Sequence, residues 1–239
     1  MSKVKACSWV IALLLGVPSV AAAQGARESF GSRGQFVIGA ERLFGLVVSS
    51  STVDPEIGSE IEESHTSFTL LANPTNGVGN GRVSTYSFPR VGFDFLVTDG
   101  VSVGAALGMA SVSGTLDTEA QPEQELDPTL AFLFAPRVGY AYPFGSTIGI
   151  WPRVGISYVT SSTSNDIVET SYYRLAVTLE APLVISPVPH AAFTIGPVFD
   201  IGVSGGIEES AQMGGLRVSF ESDESGIEWG LMAGLLVYL

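Results

Sequence analysis

Nine charged side chains fall in stretches that hold few other charges: Glu41, Arg90, Asp94, Arg137, Arg153, Arg174, Glu180, Asp200 and Glu228. Apolar residues stand at alternate positions around them, so an extended chain sends the charges to one face and the apolar side chains to the other. Guanidiniums gathered with carboxylates have an obvious chemistry, in which forked N–H donors meet paired acceptor oxygens in a hydrogen-bonded network. A charged conduction pathway is the functional alternative to such a network. Arg42 does not follow the pattern. Strict alternation sends it to the apolar face beside an inward Glu41, unless a bulge turns it or it lies near a membrane interface, where the cost falls to about 0–1 kcal/mol.

Other reactive residue types are thinly spread. His65 falls in a polar stretch and His190 in a turn at the other end of the expected architecture, so the two cannot build one site. Gly77-Val78-Gly79-Asn80-Gly81 is rich in glycine, but no lysine follows and no strand-to-helix context surrounds it, so it reads as a flexible loop. Acidic residues crowd the polar stretches: Asp54, Glu56, Glu60, Glu62 and Glu63; Asp117, Glu119, Glu123, Glu125 and Asp127; Asp166 and Glu169; Glu208, Glu209, Glu221, Asp223 and Glu224. They read as solvated loops, with divalent cations as a further partner for the oxygen clusters, although no twelve-residue calcium loop is present. No cofactor motif and no catalytic set emerges, and the expectation is a protein that is not an enzyme.

The elements that carry the charges are strands. Eight segments keep one continuous apolar face at period two: 34–48, 86–98, 100–113, 130–142, 147–161, 171–185, 190–205 and 226–239. In the fifth, Ile148, Ile150, Pro152, Val154, Ile156 and Tyr158 share a face opposite Gly149, Trp151, Arg153, Gly155 and Ser157. In the last, Ile227, Trp229, Leu231, Ala233, Leu235, Val237 and Leu239 alternate with small or polar residues. Short turns at 98–100, 143–146 and 186–189 alternate with long polar connections. This asymmetry is that of a transmembrane barrel with short periplasmic turns and long outer loops, and it places both chain ends in the periplasm. The stretches 50–80 and 208–224 accordingly read as dispensable outer loops.

A charged residue facing lipid at mid-bilayer costs about 2–4 kcal/mol, so the nine charges face the lumen. In a barrel of eight strands the interior is only wide enough for side chains to fill, and the charges then close it. A soluble β-sandwich, the competing fold, would not keep long strands apolar outside and polar within. A short repeat, Phe88-Pro89-Arg90-Val91-Gly92, Ala135-Pro136-Arg137-Val138-Gly139 and Trp151-Pro152-Arg153-Val154-Gly155, with a degenerate relative at Gly196-Pro197-Val198, puts proline on the apolar face and marks bulges or bends.

Ends and composition agree with a membrane barrel. Residues 1–23 read as a signal peptide, with Lys3 and Lys5 before the apolar run Val10 to Leu15 and Ala21-Ala22-Ala23 before Gln24. Residues 24–33 form a periplasmic segment and 34–239 the barrel. Both lysines and the only cysteine, Cys7, leave with the signal, so a formal charge of −13 becomes about −15 and nucleic acid is excluded as a partner. Mean hydropathy is +0.36, yet no apolar run after Gln24 is long enough for a spanning helix.

The expected fold is therefore all-β, an eight-stranded antiparallel transmembrane β-barrel with up-and-down meander topology. Over residues 34–239 it resembles the small outer-membrane proteins grouped as OmpA-like or OmpX-like barrel domains. That resemblance implies the Gram-negative outer membrane as location, outer-membrane lipid and lipopolysaccharide as surroundings, and a role in envelope integrity, adhesion or surface protection. It also implies recognition by the barrel-assembly machinery through the last strand, Trp229 to Leu239, where Leu239 stands in place of the usual terminal aromatic. Three function classes follow: a structural or surface-interaction barrel, a narrow transport barrel for small solutes, and a lipid-modifying barrel enzyme. The charged lumen favours the first, because apolar solutes need an apolar lumen and the enzyme needs a nucleophile and base near the rim.

Overall fold

The computed structural model describes residues 29–55, 59, 61–70, 84–86, 90–118, 121–164, 168–213 and 216–239. The signal peptide, the glycine-rich stretch 77–81, and Glu56, Glu60, Arg82, Pro89, Glu119 and Asp166 lie outside the described residues. Among the described residues twelve strands follow one another: β1 (Phe36–Pro55), β2 (Ile61–Leu70), β3 (Arg90–Leu96), β4 (Val101–Thr118), β5 (Gln121–Tyr140), β6 (Tyr142–Pro143), β7 (Ile148–Ile150), β8 (Arg153–Ser164), β9 (Val168–Glu180), β10 (Leu183–Val188), β11 (Ala191–Met213) and β12 (Leu216–Tyr238). Antiparallel pairing runs β12-β1-β3-β4-β5-β8-β9-β11 and returns from β11 to β12, which closes a barrel of eight staves. The ring closes through β3, as hydrocarbon surroundings require, whereas β2 pairs only β1 among the described residues.

Alternation in the sequence becomes two faces of the wall. Phe93, Val103, Phe132, Val154, Ile195 and Leu231 are exposed on the outside, a belt that only lipid can cover. Their neighbours Asp94, Ser102, Leu133, Arg153 and Met232 point inward. Small inward residues leave the charged chains their room: a Cβ on Gly92 would lie 2.5 Å from Arg137 Nη2, and one on Gly104 would lie 2.3 Å from Asp94 Oδ1.

Several elements differ from the sequence reading. The long outer connections are not irregular loops, because β4 and β5, β8 and β9, and β11 and β12 stay paired as hairpins that project beyond the apolar belt. Threonine, tyrosine, valine and phenylalanine in these extensions, among them Thr160, Thr163, Tyr172, Tyr173, Val218 and Phe220, favour strands, so the ladders continue where the apolar pattern stops. The second stave is built in two pieces on one side of β1, with β2 against Phe44–Val53 and β3 against Phe36–Glu41. Between the pieces Thr85 and Tyr86 lie in the lumen, almost fully buried. Among the described residues the segment 86–98 pairs in the wall from Arg90 onward, and 50–80 contains β2, a strand paired with β1, where the sequence reading had a loop.

The prolines act in different ways. Pro152 and Pro182 interrupt the fifth and sixth staves, leaving β7 to pair β10 at the end with the short turns. Across these breaks Tyr140 N donates to the Pro152 carbonyl and Trp151 N to that of Pro182. Pro136 and Pro197 cause no register shift. Bulging is found elsewhere, above all between Ala40 and Phe44, where β1 advances four residues while β12 advances two.

Candidate functional site

The lumen is occupied in layers. At the mouth that holds the short turns and the chain ends, the first described residues fold inward, where the Phe30 ring packs edge-on against Trp151 at 5.2 Å and Tyr238 at 5.5 Å. Hydrogen bonds fix this turn: Gly31 N donates to Gln35 Oε1 at 2.9 Å, Gly100 N to the Gly31 carbonyl, and Gly34 N to that of Leu96. Residues 29–33 thus close the mouth, whereas the sequence offered only a periplasmic segment. Toward the outer side, Leu133, Val159 and Tyr172 pack with Ala106, Ala131 and Ala135 into a second apolar layer.

Between these layers lie the charges. Glu41 is the hub, accepting from Arg137 Nη1 and Nη2 at 2.7 Å each, from Arg153 Nη1 at 2.6 Å and from Arg90 Nε at 3.0 Å. Arg137 also donates to Asp94 through Nε at 3.0 Å and Nη2 at 2.5 Å. Glu180 meets Arg153 Nη2 at 2.6 Å and Arg42 Nη2 at 3.1 Å, and accepts from Arg90 as well. Asp200 accepts from Arg42 Nη1 at 2.9 Å, Thr85 Oγ1 at 2.6 Å and Thr178 Oγ1 at 2.5 Å. Glu228 pairs with Arg174 at 3.3 Å and accepts from Ser49 Oγ at 3.4 Å. All nine residues singled out by the alternation lie in this layer, but they divide into two groups: one around Glu41 and Glu180, and a smaller pair of Arg174 with Glu228. Asp200 stands between them, joined to the first by Arg42 and to Glu228 by Thr85 Oγ1, which lies 3.3 Å from Glu228 Oε2.

Four further side chains join the nine charges in the layer, and three of them, Arg42, Thr85 and Tyr86, escape the alternation. Arg42 turns inward because its backbone adopts φ 55 at the bulge, so that it and Glu41, adjacent in sequence, share one face. That conformation is costly for a residue with a Cβ, and here two carboxylates hold it. Thr85 and Tyr86 arrive from the interrupted stave, the Thr85 hydroxyl bridging Asp200 and Glu228 and the Tyr86 ring lying 4.3 Å from the Arg42 guanidinium carbon. Trp151 offers its face to Arg153 at 4.5 Å while donating Nε1–H to Ser102 Oγ at 3.0 Å. Only Trp151 carried a signal in the sequence, through its alternation with Ile150 and Pro152.

Chemically the layer is a set of paired acids and bases. Each carboxylate meets at least one guanidinium, and among the described residues no three potential ligands converge as a metal site. His190 sits in the turn between β10 and β11, its Nδ1 3.0 Å from the Tyr238 carbonyl. His65 is placed on β2 opposite Ser49, in a strand and not a loop.

The sequence matches no family profile, and no curated protein is similar to it. The fold does have solved counterparts. The outer membrane protein OprG from Pseudomonas aeruginosa is similar with a TM-score of 0.52 at 13% identity, over 89% of this chain and 99% of that one. The outer membrane protein AlkL is similar with a TM-score of 0.52 at 11% identity, over 90% and 94%. With its external apolar belt and closed ring of eight staves, the chain has the fold of a small outer-membrane β-barrel.

Proposed function

We propose that this outer-membrane barrel is sealed and non-enzymatic, and that it serves the envelope as a rigid anchor presenting β-hairpins at the cell surface. One observation carries the reading: the lumen is filled at successive depths by the Phe30–Trp151–Tyr238 cluster, the charge layer and the Leu133–Tyr172 layer. A conduit of this width needs at least one of these fillings to be missing.

What remains available for interaction is the projecting surface. Asp54 stands opposite Asp223 and Glu208 opposite Glu221, exposed like charges across neighbouring strands that divalent cations and cation-bridged lipopolysaccharide would offset. Assembly through the barrel-assembly machinery, acting on β12, belongs to the same proposal. Planar-bilayer recording on the purified, folded protein tests the sealed lumen: no large, steady conductance is expected. A stable porin-like step in most insertions would replace this reading with the transport one.

A further inference from the structure

The charge layer satisfies most of its donors but not all. Arg42 Nε, Arg90 Nη1 and Arg153 Nε are buried and have no hydrogen-bond partner, and Glu180 Oε2, though 2.6 Å from Arg153 Nη2, lacks an aligned hydrogen bond. The side chains concerned are 7% exposed or less. Buried guanidinium N–H groups and carboxylate oxygens are costly to leave unmatched, and these four belong to residues that line one small cavity. Its volume is about 20 Å³, and Glu41 and Thr194 also line it, with Val198 forming part of its apolar wall.

We propose that this cavity is a binding site for a single water molecule, held as a permanent member of the charge layer. Size comes first, since a space of this kind admits one water and little more. Chemistry follows, because a water accepts from two guanidiniums and places its own protons on Glu180 and a second acceptor, whereas an apolar filling would leave every one of these groups unmatched. Charge excludes a halide ion as the guest. Arg42, Arg90, Arg137 and Arg153 already meet Glu41, Asp94, Glu180 and Asp200, four against four, so a halide would add an uncompensated negative charge to a buried layer.

High-resolution crystal structures of the intact barrel grown in chloride and in bromide test the site. The expected result is one light peak within hydrogen-bond distance of at least two of the three arginine nitrogens, without anomalous signal in bromide. An anomalous peak there would assign the site to an anion, and a site without density would remove the proposal altogether. A second measurement does not depend on crystals. Val198→Leu fills the cavity and should lower the thermal midpoint of the folded band, while Val198→Thr, of similar volume and able to hydrogen-bond a water, should leave it near wild type. Equal midpoints, or a gain for Val198→Leu, would mean that no water is held there.

Discussion

At the scale of single residues the lumen charges are worth more as a set than as pairs. Arg153 touches both Glu41 and Glu180, and each of these keeps other arginines when Arg153 is removed. Breaking a buried ion pair costs about 3–5 kcal/mol, and the remaining partners put Arg153→Leu near the lower end, about 3 kcal/mol. Val154→Leu, one position along and facing lipid, should be close to neutral. Urea midpoints of the folded band compare the two, and a greater loss for Val154→Leu would mean that the strand is inside out. Arg42 gives a second contrast. Arg42→Leu abandons Asp200 and Glu180 and keeps the left-handed backbone, while Arg42→Gly abandons the same partners but relieves the backbone. Both should destabilise, with the glycine variant better by about 1 kcal/mol. Equal midpoints would show that the bulge is not strained.

Elements divide into those that build the wall and those that project from it. Replacing residues 209–220 with a two-residue Asn-Gly turn joins Glu208 to Glu221, which are already paired, and should leave a heat-modifiable barrel. Removing 50–80 should fail, because β2 supplies the outer half of the second stave and the excised chain leads to Thr85 and Tyr86. Band shifts on unboiled gels read both outcomes. Tolerance of both deletions would show that the outer half of the second stave is expendable. Alternation recovered eight staves because lipid demands apolar residues outside at every second position. The hairpin extensions and β2 stand partly in water, where no such demand writes a pattern, and so they read as loops.

For the whole molecule, burial of the ion pairs separates their stability from the solvent. Exposed pairs weaken as salt rises, but groups as hidden as Arg90, Asp94 and Glu180 lie beyond the reach of mobile counterions. The thermal midpoint in detergent should therefore change little between dilute buffer and molar salt. A steep fall would place the decisive charges on the outer hairpins instead.

Alternation was enough to read the class of fold and the face on which each regular-strand charge lies. Both follow from a local rule: a side chain at alternate positions meets either hydrocarbon or the interior, and the cost of a misplaced charge falls within that strand. Long-range packing alone makes Arg42 turn inward, brings Thr85 and Tyr86 in from a broken stave and seats Phe30 in the mouth. Those choices are made by partners far away in sequence, Asp200 for Arg42 and Thr85, Trp151 and Tyr238 for Phe30. Their energies arise only once the barrel has closed and brought distant strands face to face across the lumen, and no local periodicity records them.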